Sequence, residues 1–94
     1  MLLENIPLGR TLEIYIDREG YRYRLVSKVE EAKSNQVCVS LIASNGRAFQ
    51  FHAEDDICIV YRDADRLWEW TKVKAGVFGV HERVGRRAGA YISD

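Results

Sequence analysis

The chain has 94 residues, with 14 Lys and Arg balanced by 14 Asp and Glu, so its formal net charge is zero. This length suits one domain and excludes a two-lobed enzyme. A deep catalytic pocket is also disfavoured, because a chain of this size buries only roughly 60–68% of its unfolded surface. The balanced charge lacks the positive excess that drives DNA or RNA binding, so neither is expected as a partner.

Apolar residues recur at every second position in short runs separated by polar turns, which predicts half-buried β-strands. In the first run, Leu12, Ile14 and Ile16 lie on one face and Glu13 and Tyr15 on the other. The six runs are residues 11–16, 21–28, 37–42, 47–52, 57–62 and 67–73. With one proline and no amphipathic helix, the sequence predicts an all-β fold, a small six-stranded antiparallel split barrel or roll.

The residue pattern changes after Ala75, because glycines interrupt every apolar run there. We therefore predict a β-barrel accessory domain over residues 1–80 and a glycine- and arginine-rich linker or tail over residues 81–94. A terminal strand at residues 90–92 is the alternative for the end of this segment.

Cellular location is inferred from the cysteines and from the apolar runs. Cys38 and Cys58 lie in apolar runs without a CxxC partner, as is typical of reduced thiols. No run approaches the roughly 18 residues of a membrane span, and the N-terminus lacks the pattern of a signal peptide. We expect a cytoplasmic protein without a membrane span.

Catalytic chemistry is not indicated. The two histidines, His52 and His81, stand in no pattern with a nucleophile. The acidic run 54–56 lacks the alternating spacing of a calcium loop and favours a solvated turn. We expect no enzyme activity, no metal and no cofactor.

Two groups of residues are candidates for binding. Trp68 and Trp70 lie two apart on one strand and share a face, which suggests a protein-interaction surface, with core packing as the alternative. Arg83, Arg86 and Arg87 cluster in the glycine-rich segment. Arginine suits phosphate because its planar fork donates paired hydrogen bonds; a solvated linker is the alternative. A further basic stripe on the second run, Arg22, Arg24 and Lys28, is typical of a solvated face.

Several phrases together resemble a known domain. They are IPLGRTLEIYI, YRYRLVSKVEE, AFQFH, DDICIVYRD and LWEWTKVKAGVFGV. Over roughly residues 5 to 80 the chain resembles the N-terminal domain that precedes the PilZ domain in flagellar-brake-type cyclic-di-GMP receptors. The opening phrase P-x-G-x-x-L-E-I of that family is matched by Pro7, Gly9, Leu12, Glu13 and Ile14.

The resemblance implies a non-catalytic split barrel beside a nucleotide site. In the family an R-x-x-x-R motif grips the nucleotide, and Arg83 and Arg87 fit its spacing. In the alternative register Arg86 and Arg87 form a double arginine, and Tyr91 then occupies the place of the last arginine. The D-x-S-x-x-G motif of the PilZ barrel does not occur in this sequence, so we expect this chain alone to bind cyclic-di-GMP weakly or not at all.

The expected function is therefore a regulatory module of a cyclic-di-GMP effector in the control of flagellar motility. Its expected partners are a PilZ domain, in cis or in trans, and a flagellar motor protein. The alternatives are a flavin- or nucleotide-binding split-barrel enzyme and a nucleotide-independent interaction domain that uses Trp68 and Trp70.

Overall fold

The computed structural model describes residues 1–34, 36–40, 43–44, 47–49, 51–81 and 87–93. Of these, residues 33, 43–44, 47–48, 76–81 and 87–91 are described by their backbone only. No helix in the described part of the chain is long and apolar enough to cross a membrane.

The described segments fold into strands after one short 3₁₀ turn, Leu3–Asn5. The strands are β1 Thr11–Arg18, β2 Tyr21–Lys33, β3 Gln36–Ser40, β4 Ala43–Ser44, β5 Arg47–Ala48, β6 Asp56–Asp63, β7 Arg66–Trp70, β8 Lys74–His81 and β9 Arg87–Ser93. The predicted all-β fold is confirmed. Among the described residues of the predicted fourth run, 47–52, only those of β5 form a strand, and β5 pairs with β4 in a separate two-stranded ribbon.

The main sheet has seven strands, rather than six, in the order β7-β6-β1-β2-β3-β9-β8. Every pairing in it is antiparallel. Its edge strands β7 and β8 do not pair with each other in the described structure, so the sheet is not closed into a barrel.

The sheet is nevertheless strongly curled, as its connectivity requires. The edges of a flat seven-stranded sheet lie about 29 Å apart, whereas the three residues between β7 and β8 span at most about 14 Å. Part of the bend falls in β2, where the register to β3 shifts between Val29 and Glu31. A bulge of this kind bends a strand and increases its twist, so the two halves of β2 belong to two halves of the sheet.

The core lies inside the curl and is built from alternate residues of the strands. Leu12, Ile14 and Ile16 of β1 pack with inward residues of β6 and β3, and Leu3 and Ile6 join the same cluster from the N-terminal segment. The members that are 0% exposed are Leu3, Leu12, Ile14, Ile16, Val37, Val39, Ile59 and Ile92.

Part of the segment predicted as a linker or tail lies within the sheet. β9 pairs with β3 on one side and with β8 on the other, and Ile92 is 0% exposed. The backbone of residues 87–93 therefore joins the second half of the sheet, and the described fold does not end at residue 80.

Candidate interaction surface

The face of β7, β6, β1 and β2 that points away from the core is the candidate site, and we call it the outer face. It consists of the residues that alternate with the buried ones, and a shallow depression of about 580 Å³ lies over its β1–β6–β7 side. Its members are Glu13, Tyr15, Asp17, Arg22, Arg24, Val26, Lys28, Asp56, Cys58, Val60, Arg62, Leu67 and Glu69.

Glu13 is the centre of the hydrogen-bond network on this face. Its carboxylate accepts from Arg62 Nε at 2.5 Å, from Tyr15 Oη at 2.8 Å and from Arg24 Nη2 at 3.0 Å. Arg24 comes from β2 and Arg62 from β6, and β1 lies between these strands. The Glu13 side chain is 13% exposed, whereas Arg24 and Arg62 are 55% and 59% exposed. Two guanidinium groups are thus held in place while much of their surface faces solvent.

These contacts fix the ionisation of Glu13. The hydrogen bond from Arg62 is the main cause that lowers the pKa of Glu13 to about 2, followed by the hydroxyl of Tyr15. Burial opposes the shift, and Arg24 adds to it. Glu13 is therefore a carboxylate at neutral pH, and the network keeps one more positive than negative charge.

A second ion pair lies beside the first on the outer face. Arg22 donates from Nε and Nη2 to the two carboxylate oxygens of Asp17, at 2.8 and 3.0 Å. The same guanidinium lies 5.5 Å from the centre of the Tyr15 ring. The hydrogen bond from Arg22 lowers the pKa of Asp17. Tyr15 thus contacts charged groups through both its ring and its hydroxyl.

Apolar groups lie between these charges. Val60 is buried although it belongs to the outer face, Val26 and Cys58 are half-buried, and Leu67 is half exposed. Burial is the main cause that raises the pKa of the Cys58 thiol, so the thiol stays protonated and is a poor nucleophile.

A separate aromatic cluster surrounds Arg18 at the end of β1. Its guanidinium lies 5.5 Å from the Tyr23 ring and 5.2 Å from the Phe49 ring, and it donates to both oxygens of Asp55 at 2.7 and 2.6 Å. Asp55 also accepts the backbone N–H of His52 at 2.8 Å. This cluster ties the loop before β6 to β1, so we interpret it as structural.

The described residues of the outer face are suited to non-covalent contact. In the described part of the chain the Cys58 thiol donates to the carbonyl of Ile59, and no hydrogen bond joins it to His52 or to another base. The described residues include no group of His, Cys, Asp and Glu that could hold a metal ion. Oriented arginines, a tyrosine and neighbouring apolar groups form a surface suited to contact with another molecule.

The predicted tryptophans do lie on one face, and that face points toward the core. Trp70 is 9% exposed and belongs to the core cluster. Trp68 is half-buried and stacks on Tyr61, with ring centres 5.5 Å apart and planes at 19°. Trp70 therefore offers little surface to a partner, as the core-packing alternative requires.

The predicted arginine cluster is only partly described. Arg83 and Arg86 lie outside the described residues. The backbone of Arg87 begins β9 and pairs with His81 of β8. The predicted role of these three arginines in binding stays a prediction.

Sequence reasoning identified Arg22 and Arg24 as a basic stripe but missed the network to which they belong. Its centre, Glu13, and its other arm, Arg62, are 49 residues apart in the chain. The available signal was the alternation in β1 and β6, which places both residues on outward faces. The adjacency of β1 and β6 is not encoded in either run alone.

Comparison with known protein families, with curated proteins and with solved structures gives no match to this chain.

Proposed function

We propose that this chain is a non-catalytic regulatory module of a cyclic-di-GMP effector that acts through domain–domain or protein–protein contacts. The observation that supports the contact role is the Glu13 network, which holds two exposed arginines beside half-exposed Leu67. The nucleotide context comes from the sequence resemblance to the domain that precedes PilZ. We assign the module to the cytoplasm, in keeping with its two free cysteines.

The outer face suits protein contact for a physical reason. Arginine and tyrosine are enriched among the residues that dominate interface energies. Association normally requires flexible side chains to lose rotamer freedom, which costs about 0.5–1.5 kcal/mol for each one immobilised. Arg24 and Arg62 are already restrained by Glu13, so these side chains have lost part of their rotamer freedom before the partner binds.

The proposed mechanism is a shift between two arrangements of neighbouring domains. A nucleotide that contacts Arg83 and Arg87 and also a PilZ domain favours one arrangement over the other. The outer face is then accessible to a flagellar motor protein in one arrangement and covered in the other. Because these 94 residues contain no D-x-S-x-x-G motif, the proposal requires a PilZ domain, in cis or in trans, for the nucleotide to bind.

Calorimetric titration of cyclic-di-GMP tests the nucleotide half of the proposal. We expect no measurable binding to the 94-residue chain alone and clear binding when a PilZ domain is added. Arg87→Ala should weaken that binding by at least about tenfold, since a charge-assisted arginine–phosphate contact is lost. Arg66→Ala, which removes an exposed arginine of β7, is the matched control and should leave the affinity unchanged. Equal affinity of the Arg87 variant and the control contradicts the role of this segment.

The contact surface is tested by NMR titration of the labelled chain with a PilZ domain, with and without nucleotide. Amide shifts should concentrate on β1, β6 and the first half of β2. Arg62→Glu should abolish them by reversing a charge in the network, and Arg66→Glu again serves as the control. Shifts confined to other strands contradict the assignment of the outer face.

A second candidate function, a nucleotide-independent interaction domain, is favoured by the same outer face. In that case the partner binds equally well with and without nucleotide, and only Arg62→Glu weakens the complex. The flavin-binding alternative has no supporting contact among the described residues, and a visible absorption spectrum of the purified protein tests it.

A further inference from the structure

The two edges of the main sheet differ in how well they are protected. β8 pairs with β9 on one side, and on its other side it has no partner strand in the described structure. Alternate residues of such a strand direct their N–H and C=O groups away from the sheet, which makes the edge a template for a further strand. In β8, KAGVFGVH, no residue between Lys74 and His81 is charged or proline.

β7, the opposite edge, has the features that natural proteins use to prevent pairing. It has only five residues, RLWEW, and two of them, Arg66 and Glu69, are charged and exposed. Short edge strands and charged residues discourage edge-to-edge contact. Both edges belong to one sheet, and only β7 has these protective features. The contrast indicates that β8 is the edge available for pairing with a further strand.

We propose that the β8 edge pairs antiparallel with β8 of a second copy of this chain, which joins two seven-stranded sheets into one. This inference does not depend on the proposed function. A two-fold axis perpendicular to an antiparallel pair passes between one residue and its own copy, so the pairing is centred on a single residue. The regular part of β8, Lys74 to Phe78, lies before its register shift toward β9 and contains Val77.

The sequence of β8 is compatible with itself around Val77. With Val77 opposite its own copy, Gly76 lies opposite Phe78 and Ala75 lies opposite Gly79. Every position from Ala75 to Gly79 is apolar or glycine, so no charge meets a like charge across the pair. Lys74 lies opposite Val80, outside this central stretch. A second copy is therefore a partner whose pattern matches the edge.

Sedimentation equilibrium of the full chain is the first test. We expect a reversible monomer–dimer equilibrium with a dissociation constant on the order of 100 µM, since only a few backbone hydrogen bonds form across a small interface. Sedimentation as a monomer over the whole accessible concentration range would overturn the proposal. That result would also be obtained if the edge is reserved for a strand of another protein.

Cross-linking locates the contact. Directly opposite residues on antiparallel strands have Cβ atoms about 4.5–5.5 Å apart, close to the span of a disulfide. Val77→Cys should therefore yield a covalent dimer on mild oxidation, above the background of the wild type with its two free cysteines. Leu67→Cys, at a half-exposed position of the other edge, is the matched control and should not exceed that background. Cross-linking of both variants to the same extent contradicts the β8 contact.

A charge at the axis gives an independent measurement. Val77→Lys places two like charges opposite each other and should shift the equilibrium to monomer, while circular dichroism reports whether the strand content is kept. If this variant does not fold, the cross-linking of Val77→Cys decides. A folded Val77→Lys protein that dimerises like the wild type would refute the proposal.

Discussion

Two carboxylates make the stability of this protein sensitive to acid. The hydrogen bond from Arg62 is the main cause that lowers the pKa of Glu13 from 4.5 to about 2, and the hydrogen bond from Arg18 lowers that of Asp55 from 3.8 to about 2. The side chain of Asp55 is 1% exposed, and that of its partner Arg18 is 18% exposed. Because both folded-state pKa values lie below the unfolded ones, the stabilisation is present above about pH 4.5 and is lost as the pH falls toward 2.

We therefore predict that the free energy of unfolding is nearly constant from pH 7 to about pH 5 and then falls with acid. Each carboxylate should contribute roughly 1–2 kcal/mol after allowance for solvent screening. Urea unfolding at a series of pH values measures this. Glu13→Gln and Asp55→Asn should each make the free energy of unfolding fall less steeply below about pH 5. Asp56→Asn, at an exposed position of β6, should not change this dependence. If both variants lose unfolding free energy with acid as steeply as the wild type, the ion pairs of Glu13 and Asp55 are not formed.

One buried hydroxyl has no partner in the described structure. Ser27 is 4% exposed and lies opposite Leu12, and its Oγ accepts and donates no described hydrogen bond. An unsatisfied buried polar group costs about 1–3 kcal/mol, and removing it relieves that cost. Ser27→Ala should raise the free energy of unfolding by about 1 kcal/mol. A decrease in thermal stability would show that the hydroxyl has a partner, such as a bound water.

At the scale of single elements, two hairpin turns have residues with positive φ. In the β1–β2 turn one of these residues is glycine, whereas in the β6–β7 turn the residue is alanine. Arg18 pairs with Tyr21, so Glu19 and Gly20 form a two-residue loop with φ of 50° and 84°. Positive φ at both positions is the pattern of the type I′ turn, which matches the twist of a hairpin. Ala64 in the β6–β7 turn also has a positive φ, 55°, without being glycine.

We predict opposite effects for two substitutions in these turns. Gly20→Ala should lower the free energy of unfolding by about 1 kcal/mol, because a Cβ is strained at positive φ even though the space around Gly20 is open. Ala64→Gly should raise it by up to about 1 kcal/mol for the same reason. Thermal unfolding of the two variants beside the wild type measures both. Changes of the same sign would contradict the turn assignment.

The long strand β2 shows where pattern reading fails within an element. The second predicted run ends at residue 28, yet β2 continues to Lys33 and pairs there with β3. The bulge between Val29 and Glu31 changes which residues face inward, so the strict alternation breaks. Ser40 of β3 donates a hydrogen bond to Glu30 of β2 at this bend. The sequence of either strand alone does not predict this contact.

At the scale of the whole molecule, β9 decides how much of the chain is needed to fold. It lies between β3 and β8, so its removal would leave both without a partner on that side and would take Ile92 out of the core. We predict that a chain ending at residue 86 loses cooperative thermal unfolding, whereas the full chain unfolds in one transition. A cooperative transition in the shortened chain would support the division of the sequence at residue 80 instead. Circular dichroism during heating distinguishes the two outcomes.

The sequence by itself indicated the all-β class and the inward face of β1, because alternation with period two is a local property. It placed Leu12, Ile14 and Ile16 on one face and put Glu13 and Tyr15 on the other, as the structure has them. The glycine-rich residues after 75 carry no comparable signal, so the sequence predicts a linker or tail over residues 81–94, with residues 90–92 as an alternative strand, where the structure has β9.

Which outward residues meet depends on the order of the strands in the sheet. β1 pairs with β2 in a local hairpin and with β6 over a long separation, and this order alone brings Arg24 and Arg62 to the two sides of Glu13. The inward direction of Trp68 and Trp70 likewise follows from their register with Tyr61 and Ile59. Strand order and sheet curvature are set by the packing of the whole core, so no single run of sequence contains them.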